Sequence, residues 1–148
     1  MYEKTVKAGW GDMDFNGHMR NTAYLDKSAD IRMEFFAENG FAMREFQRRK
    51  LGPVILRDEL DYRREVSLLE PIRVTLLLAG LSDDGSNWTM CNEFYRGQGE
   101  LAARVRSCGG WLDLNARCLS AAPDDLFAAL LRLPRAADFE SLQSRLRA

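Results

Sequence analysis

The most informative stretch of the sequence is Gly11-Asp12-Met13-Asp14-Phe15-Asn16-Gly17-His18-Met19-Arg20-Asn21. It contains the only histidine of the chain, together with two aspartates and two asparagines. The stretch lies between a predicted strand at residues 2–9 and a predicted helix at residues 22–38. A loop that leads into a helix N-terminus places acid–base side chains beside backbone N–H groups that bind negative charge. We therefore interpret this stretch as the candidate active site.

Periodicity predicts a long amphipathic helix over residues 22–38. At 100° per residue, the charged side chains fall on one side and a broad apolar face on the other. That face comprises Tyr24, Leu25, Ser28, Ala29, Ile31, Met33, Phe35 and Phe36. Either Asn21 or Thr22 is predicted to cap the start of the helix, and Asn39-Gly40 is predicted to end it. A helix with so wide an apolar face must be buried against another layer.

The chain after residue 53 is typical of strands joined by tight turns. Apolar residues alternate with polar ones, and Asp83-Asp84-Gly85-Ser86 and Arg96-Gly97-Gln98-Gly99 are turn signals. This order predicts an α+β fold in which a curved five-stranded antiparallel sheet wraps around one long helix. We expect a single domain over residues 1–148, with a core at about 1–115. Residues 116–148 are expected to form a C-terminal helix, at Asp124 to Leu133, and a polar tail.

Composition narrows the class of protein. A net charge of −1 gives no electrostatic reason to expect a nucleic acid partner. No apolar run approaches the ~18 residues of a membrane span, and the first residues lack the pattern of a secretory signal. Three cysteines without metal-ligand spacing suggest reduced thiols in a cytoplasmic protein. Neither a cofactor nor a metal ion is expected.

Two segments of the sequence resemble those of the hotdog-fold acyl-CoA thioesterases of the 4-hydroxybenzoyl-CoA thioesterase-like family. The resemblance begins with Trp10-Gly11-Asp12-Met13-Asp14 and continues with Gly17-His18-Met19-Arg20-Asn21 and Tyr24. It extends into the helix, where Ile31-Arg32-Met33-Glu34-Phe35-Phe36 is similar to the family's Arg-x-Glu followed by apolar residues. The resemblance covers roughly residues 1–115 and implies the hotdog fold.

The resemblance also implies an activity and a site. It implies hydrolysis of an acyl-CoA or acyl-ACP thioester, with Asp14 as the catalytic carboxylate at a subunit interface of a homodimer or of a homotetramer built from two such dimers. Asp14, Asn16 and His18 further resemble the Asp-x-Asn-x-His segment of plant acyl-ACP thioesterases, in which those three polar residues are implicated. Further matching positions are expected to contact the substrate: Gly17, Met19, Asn21 and Tyr24.

The residues themselves leave the roles open. Asp14 is able to attack a thioester carbonyl directly, to activate water as a general base, or simply to stabilise a turn. His18 either orients Asp14, binds the carbonyl or makes a structural hydrogen bond. Asn16 positions water or holds the loop, and Asn21 fits a helix cap better than a catalytic role. Asp12 is expected to fix the loop through backbone N–H groups.

Two other functions fit the same fold. One is hydration or dehydration of an acyl thioester, which uses a histidine and an acidic group for proton transfer. The other is binding of an acyl thioester without catalysis. Both remain alternatives to thioester hydrolysis at this point.

Two basic features have a functional and a structural interpretation. Arg32 interrupts the apolar face of the helix, so it either pairs with a carboxylate of the sheet or of another subunit, or extends its guanidinium to solvent. A cluster of Arg44, Arg48, Arg49 and Lys50 either binds the phosphates of coenzyme A or forms a solvated surface.

Overall fold

A computed structural model describes residues 1–146 of the protein. The strands are β1 (Tyr2–Lys7), β2 (Leu51–Tyr62), β3 (Pro71–Ser82), β4 (Trp88–Arg96), β5 (Glu100–Asp113), β6 (Cys118–Ser120) and β7 (Arg135–Leu142). The α-helices are α1 (Asn21–Glu38), α2 (Met43–Arg49) and α3 (Asp124–Leu130), and a turn of 3-10 helix spans Trp10–Asp12. No helix in this described part is both long and apolar enough to cross a membrane.

The predicted α+β architecture is confirmed. The sheet has the strand order β1-β3-β4-β5-β2, and every pairing along this path is antiparallel. Helix α1 packs on one face of the sheet and buries the apolar residues Ile31, Phe35 and Phe36. Full burial of each such side chain contributes roughly 1.5–3 kcal/mol, so the contact between helix and sheet makes a large contribution to the free energy of unfolding.

The C-terminal segment differs from the prediction of a polar tail. Residues 135–142 form β7, which pairs in parallel with the end of β3, and β6 pairs with β5. Strand β7 contains no valine, isoleucine or threonine, so its propensity for strand structure is weak. Its placement depends on distant contacts: Ala136 is buried near Ala79 and Cys91, and Asp138 binds Arg106 at 2.9 Å.

Strand β2 is an open edge of the sheet. It is 12 residues long and pairs with β5, and the structure pairs its other side with none of residues 1–146. Ile55, Leu56 and Tyr62 are 38%, 53% and 53% exposed. A long edge strand with exposed apolar side chains is a surface that proteins normally cover or pair.

Arg32 is buried, as one of the two sequence interpretations required. Only 7% of the residue is exposed, and its guanidinium donates a hydrogen bond to Ser107 Oγ at 3.1 Å. Ser107 in turn donates to Asp58 Oδ1 on β2 at 2.6 Å. Burial lowers the pKa of Arg32, and the negative charge of Asp58 opposes this shift. A carboxylate of the sheet therefore pairs with Arg32 through one hydroxyl group, which links α1, β5 and the edge strand.

Replacing Arg32 with alanine is expected to lower the free energy of unfolding by about 1–3 kcal/mol, because a hydrogen bond to a charged group and the packing of the side chain are lost. The cost stays below that of a fully buried ion pair, about 3–5 kcal/mol, since Asp58 is exposed and remains solvated. Urea denaturation measures the change. Arg57→Ala, next to Asp58 on β2, is the control. If Arg32→Ala lowers the free energy of unfolding no more than Arg57→Ala does, the buried network is contradicted.

Candidate active site

The loop between β1 and α1 folds as a miniature hairpin. Met13 and Met19 form an isolated antiparallel bridge, and inside it Asp14 N–H donates to the carbonyl of His18 at 2.7 Å. Gly17 N–H closes the turn on the carbonyl of Asp14 at 3.1 Å. Gly17 has a φ of +78°, a backbone conformation that residues with a Cβ atom rarely adopt. The glycine of the motif therefore has a backbone role.

The carboxylate of Asp14 is fixed on one side. Its Oδ1 atom accepts hydrogen bonds from the backbone N–H groups of Asn16 at 2.8 Å and His18 at 3.0 Å. Among residues 1–146, the other oxygen, Oδ2, accepts none. Asp14 is exposed and lines a cavity of about 540 Å³ together with Trp10, Phe15 and Leu68. One oxygen thus anchors the loop, while the other remains available to a molecule in the cavity.

The imidazole of His18 points away from Asp14. Its Nε2 atom lies 3.0 Å from Glu65 Oε2, and the two side chains line a separate cavity of about 230 Å³ with Met19, Tyr24 and Tyr62. Asp14 and Gly17 line the first cavity, so the loop divides the predicted site residues between two cavities. The backbone of His18 holds Asp14, whereas its side chain contacts Glu65.

Tyr24 forms the floor of the smaller cavity. It is 2% exposed, and its ring packs edge-on against Tyr62 and Phe94, with centroids 5.5 and 5.1 Å away. Burial, and to a lesser extent the nearby Tyr62, raises the pKa of Tyr24 to about 12. The phenol therefore stays protonated at neutral pH and is able to donate a hydrogen bond.

Asp12 anchors the entrance of the loop, as predicted. Its Oδ2 accepts a hydrogen bond from Gly9 N–H at 2.7 Å and lies 3.0 Å from Lys27 Nζ on α1. Desolvation raises the pKa of Asp12, but the Gly9 N–H group and the Lys27 ammonium together outweigh it, so the net pKa is lowered. Gly9 and Lys27 thus stabilise the charged form of the Asp12 carboxylate, and the contact with Lys27 connects the loop to the helix.

The two asparagines make fewer contacts than the sequence suggested. The prediction that Asn21 or Thr22 caps α1 is wrong: the N-cap residue is Arg20, and its side chain makes no capping hydrogen bond. Asn21 is the first residue of the helix and is exposed, as is Asn16 at the tip of the loop. Ala23 N–H in the first turn of α1 donates to the carbonyl of Arg20 at 3.0 Å. The N–H groups of Asn21 and Thr22 have no acceptor among residues 1–146, so they remain available to solvent or to a bound anion.

Other candidate groups are occupied by structural contacts. Arg48 and Arg49 pair with Glu45 at 2.6 and 2.9 Å, and Arg49 also binds Asp125, so two members of the basic cluster are neutralised. Burial raises the pKa of Cys91 to about 11, which disfavours the nucleophilic thiolate. Within residues 1–146, no three His, Cys, Asp or Glu side chains form a group that could hold a metal ion.

Sequence reasoning missed several residues that surround the motif. Glu65 lies between β2 and β3, far from His18 in the sequence, and no spacing pattern connects the two. Leu68 reaches the Asp14 cavity from the same connection. Trp10 and Phe15 are 83% and 104% exposed, which the bulk of their side chains did not suggest. A larger cavity of about 660 Å³ lies elsewhere, between α3 and β7.

The fold and the loop together define a hotdog domain with its motif at the N-terminus of the central helix. A profile of the thioesterase-like superfamily matches residues 8–130. The chain therefore belongs to the thioesterase-like superfamily, in agreement with the resemblance seen in the sequence. A comparison with curated proteins finds no match.

Solved structures share the fold at low sequence identity. The SAV2348 protein from Staphylococcus aureus, in complex with CoA, has a TM-score of 0.82 at 18% identity, over 92% of this chain and 87% of that one. Slr0204, a 1,4-dihydroxy-2-naphthoyl-CoA thioesterase from Synechocystis, has a TM-score of 0.79 at 12% identity, over 89% of this chain and 96% of that one. PA5185 from Pseudomonas aeruginosa has a TM-score of 0.82 at 22% identity, over 93% of this chain and 94% of that one. At these identities the likeness is one of fold.

Asp12→Asn is expected to lower the free energy of unfolding by about 1–2 kcal/mol at pH 7, because the charged hydrogen bonds to Gly9 and Lys27 weaken. A lowered pKa means that this stability is present above the unfolded value, near 3.8, and is lost as pH falls through the folded value. The difference between variant and parent should therefore shrink below about pH 4. Urea denaturation at pH 7 and at a pH below about 4 measures the difference in the free energy of unfolding between variant and parent. Asp26→Asn, on the exposed side of α1, is the control. A difference independent of pH would contradict the assignment.

Proposed function

We propose that the protein hydrolyses an acyl-CoA thioester to a free acid and coenzyme A, with Asp14 as the central carboxylate. The observation that carries the proposal is the state of that carboxylate. Two backbone N–H groups hold Oδ1, Oδ2 accepts no hydrogen bond from residues 1–146, and Asp14 lines a cavity together with Arg20, the N-cap residue of α1. Membership of the thioesterase-like superfamily supports the reaction class. The CoA bound to the Staphylococcus aureus neighbour supports this carrier over an acyl carrier protein.

Two routes use the same geometry. In the first, Asp14 Oδ2 attacks the thioester carbonyl, the thiolate leaves, and water cleaves the resulting mixed anhydride. In the second, Oδ2 removes a proton from water, which attacks the carbonyl as the thiolate leaves. In both routes negative charge develops on the carbonyl oxygen, and the N–H groups of Asn21 and Thr22 in the first turn of α1 are suited to stabilise it. Asn16, Gly17, Met19, Asn21 and Tyr24 are proposed as neighbours of the substrate.

We further propose that the working unit is a homodimer, or a homotetramer built from it, of a single-domain cytoplasmic protein. The open edge of β2 supports assembly, because it exposes both backbone groups and apolar side chains. Edge pairing of two copies would cover Leu56 and Tyr62 and enclose the cavity that contains Tyr62. The three cysteines are free, which fits a reducing compartment.

Light scattering at micromolar concentration should give the mass of a dimer or tetramer. Leu56→Lys places a charge on the edge strand and is expected to shift the population toward monomer by at least about tenfold in the dissociation constant. Leu131→Lys, at the C-cap of α3, is the matched control, since Leu56 and Leu131 are 53% and 50% exposed in the parent protein. A monomeric parent protein, or equal effects of the two substitutions, would contradict assembly through β2.

Asp14→Asn is expected to lower kcat by at least ~10²-fold, the lower end for loss of a general base. The amide keeps an oxygen in the place of Oδ1, so the bonds from Asn16 and His18 survive and stability changes little. Release of free thiol from a panel of acyl-CoAs measures the activity. The same panel, followed for changes at the carbons beside the thioester, detects a hydratase.

Asp12→Asn serves as the control for this experiment, because it alters the same loop and removes the same charge. It should affect turnover less than Asp14→Asn does, and mainly through stability. If Asp14→Asn hydrolyses its best substrate as fast as the parent, the carboxylate is not catalytic. Tight binding of acyl-CoA without any thiol release would instead identify a binding protein.

A further inference from the structure

The contact between His18 and Glu65 joins two parts of the chain that the motif does not connect. His18 Nε2 lies 3.0 Å from Glu65 Oε2, a distance within the range of an N–H···O hydrogen bond. The His18 side chain is 36% exposed and that of Glu65 is 70% exposed, so the pair lies at the mouth of the smaller cavity. An ion pair this exposed contributes little to stability. Its importance must lie in what it does to the imidazole.

The backbone around Glu65 is held more firmly than its exposure suggests. Arg64 N–H donates to the carbonyl of Ala102 at 3.0 Å, and Arg96 donates to the carbonyl of Glu65 itself at 2.5 Å. On the other side, Met19 N–H donates to the carbonyl of Val66 at 2.8 Å. This last bond attaches the residue after His18 directly to the residue after Glu65. The two side chains therefore face each other from backbones that are tied together.

Basic and acidic groups both surround the pair. Arg63 and Arg64 at the end of β2 line the same cavity, as do the phenols of Tyr24 and Tyr62. Arg64 and Arg96 both approach Glu100, at 3.3 and 3.5 Å, and Arg96 also approaches Glu70. Asp14 is the acidic residue on the loop that contacts His18, and it does so through the His18 backbone. Glu65 is thus the carboxylate that contacts the imidazole.

We propose that Glu65 is a positioning residue for His18. Its carboxylate accepts the Nε2–H of the neutral imidazole, which fixes the tautomer and the ring orientation. Nδ1 is then the nitrogen that is free to accept a hydrogen bond or a proton from a molecule in the cavity; it contacts no partner among residues 1–146. Glu65 touches no reacting atom in this arrangement and acts through His18. The kinetic part of the proposal rests on the proposed hydrolase function.

The first test is spectroscopic and needs no activity. Because His18 is the only histidine, protein labelled with ¹⁵N-histidine gives one pair of ring nitrogen signals. At about pH 8.5 we expect the Nε2–H tautomer to be more populated in the parent protein than in free histidine. Glu65→Ala should move the ratio toward that of free histidine, and Glu140→Ala, which removes a carboxylate on the distant β7, should not. An unchanged ratio in Glu65→Ala would overturn the proposal.

The second test is a double-mutant cycle on thioester hydrolysis. Glu65→Ala is expected to lower kcat about tenfold, with KM changed by less than about twofold, because it removes orientation and not substrate contact. In a His18→Ala background the same substitution should change kcat by less than about twofold, since the residue through which it acts is gone. Glu65→Gln, whose amide oxygen accepts the same hydrogen bond, should recover most of the rate.

The outcomes separate this proposal from the proposed function. Equal effects of Glu65→Ala in both backgrounds would show that Glu65 does not act through His18. If the parent protein hydrolyses no thioester, the hydrolase function fails, while the ratio of tautomers still decides whether Glu65 positions the imidazole. A changed ratio combined with an unchanged kcat would refute the kinetic role of Glu65.

Discussion

The burial of one face of α1 against the sheet is the constraint on which the rest of the structure depends. Ile31, Phe35 and Phe36 fill the space under the curved sheet, and they fix the position of the helix along and across the strands. Because the helix is fixed, its N-terminus is fixed, and the loop before it must reach that point from the end of β1. Lys27 and Asp12 join the helix and the loop directly. The core therefore fixes the point that the loop must reach, and hydrogen bonds within the loop then orient Asp14.

Much of this was predictable from the sequence, for an identifiable reason. The start of α1 at Asn21 lies within one residue of the predicted start, because the period of its apolar face is a local property. The antiparallel sheet followed from strands separated by short turns. Strand β7 was not predictable, since weak propensity is overridden by pairing with β3 and by contacts with residues such as Arg106.

The same distinction between local and long-range contacts applies to the candidate site. A turn was one of the roles that the sequence left open for Asp14, and the structure places Asp14 and Gly17 in one turn whose hydrogen bonds span only a few residues. The motif could not show that His18 turns its side chain to Glu65, since that contact depends on how β2 leaves the sheet. Nor could it show that the helix starts without a side-chain cap. Hydrogen bonds between residues a few positions apart are predictable from the sequence, whereas contacts between distant residues depend on the topology of the fold.

The division of the loop into two sides has a physical consequence for any mechanism. His18 uses its backbone N–H to hold Asp14 Oδ1 and its imidazole to contact Glu65, so a single residue links two titratable carboxylates that line different cavities. A substitution of His18 that keeps the backbone leaves the Asp14 bond intact and removes only the contact with Glu65. Loss of Gly17, by contrast, strains the turn on which both depend, because its φ of +78° disfavours any Cβ. The Asp14 carboxylate and the His18 imidazole therefore line different cavities but share one turn, and Gly17 lies within that turn between Asn16 and His18.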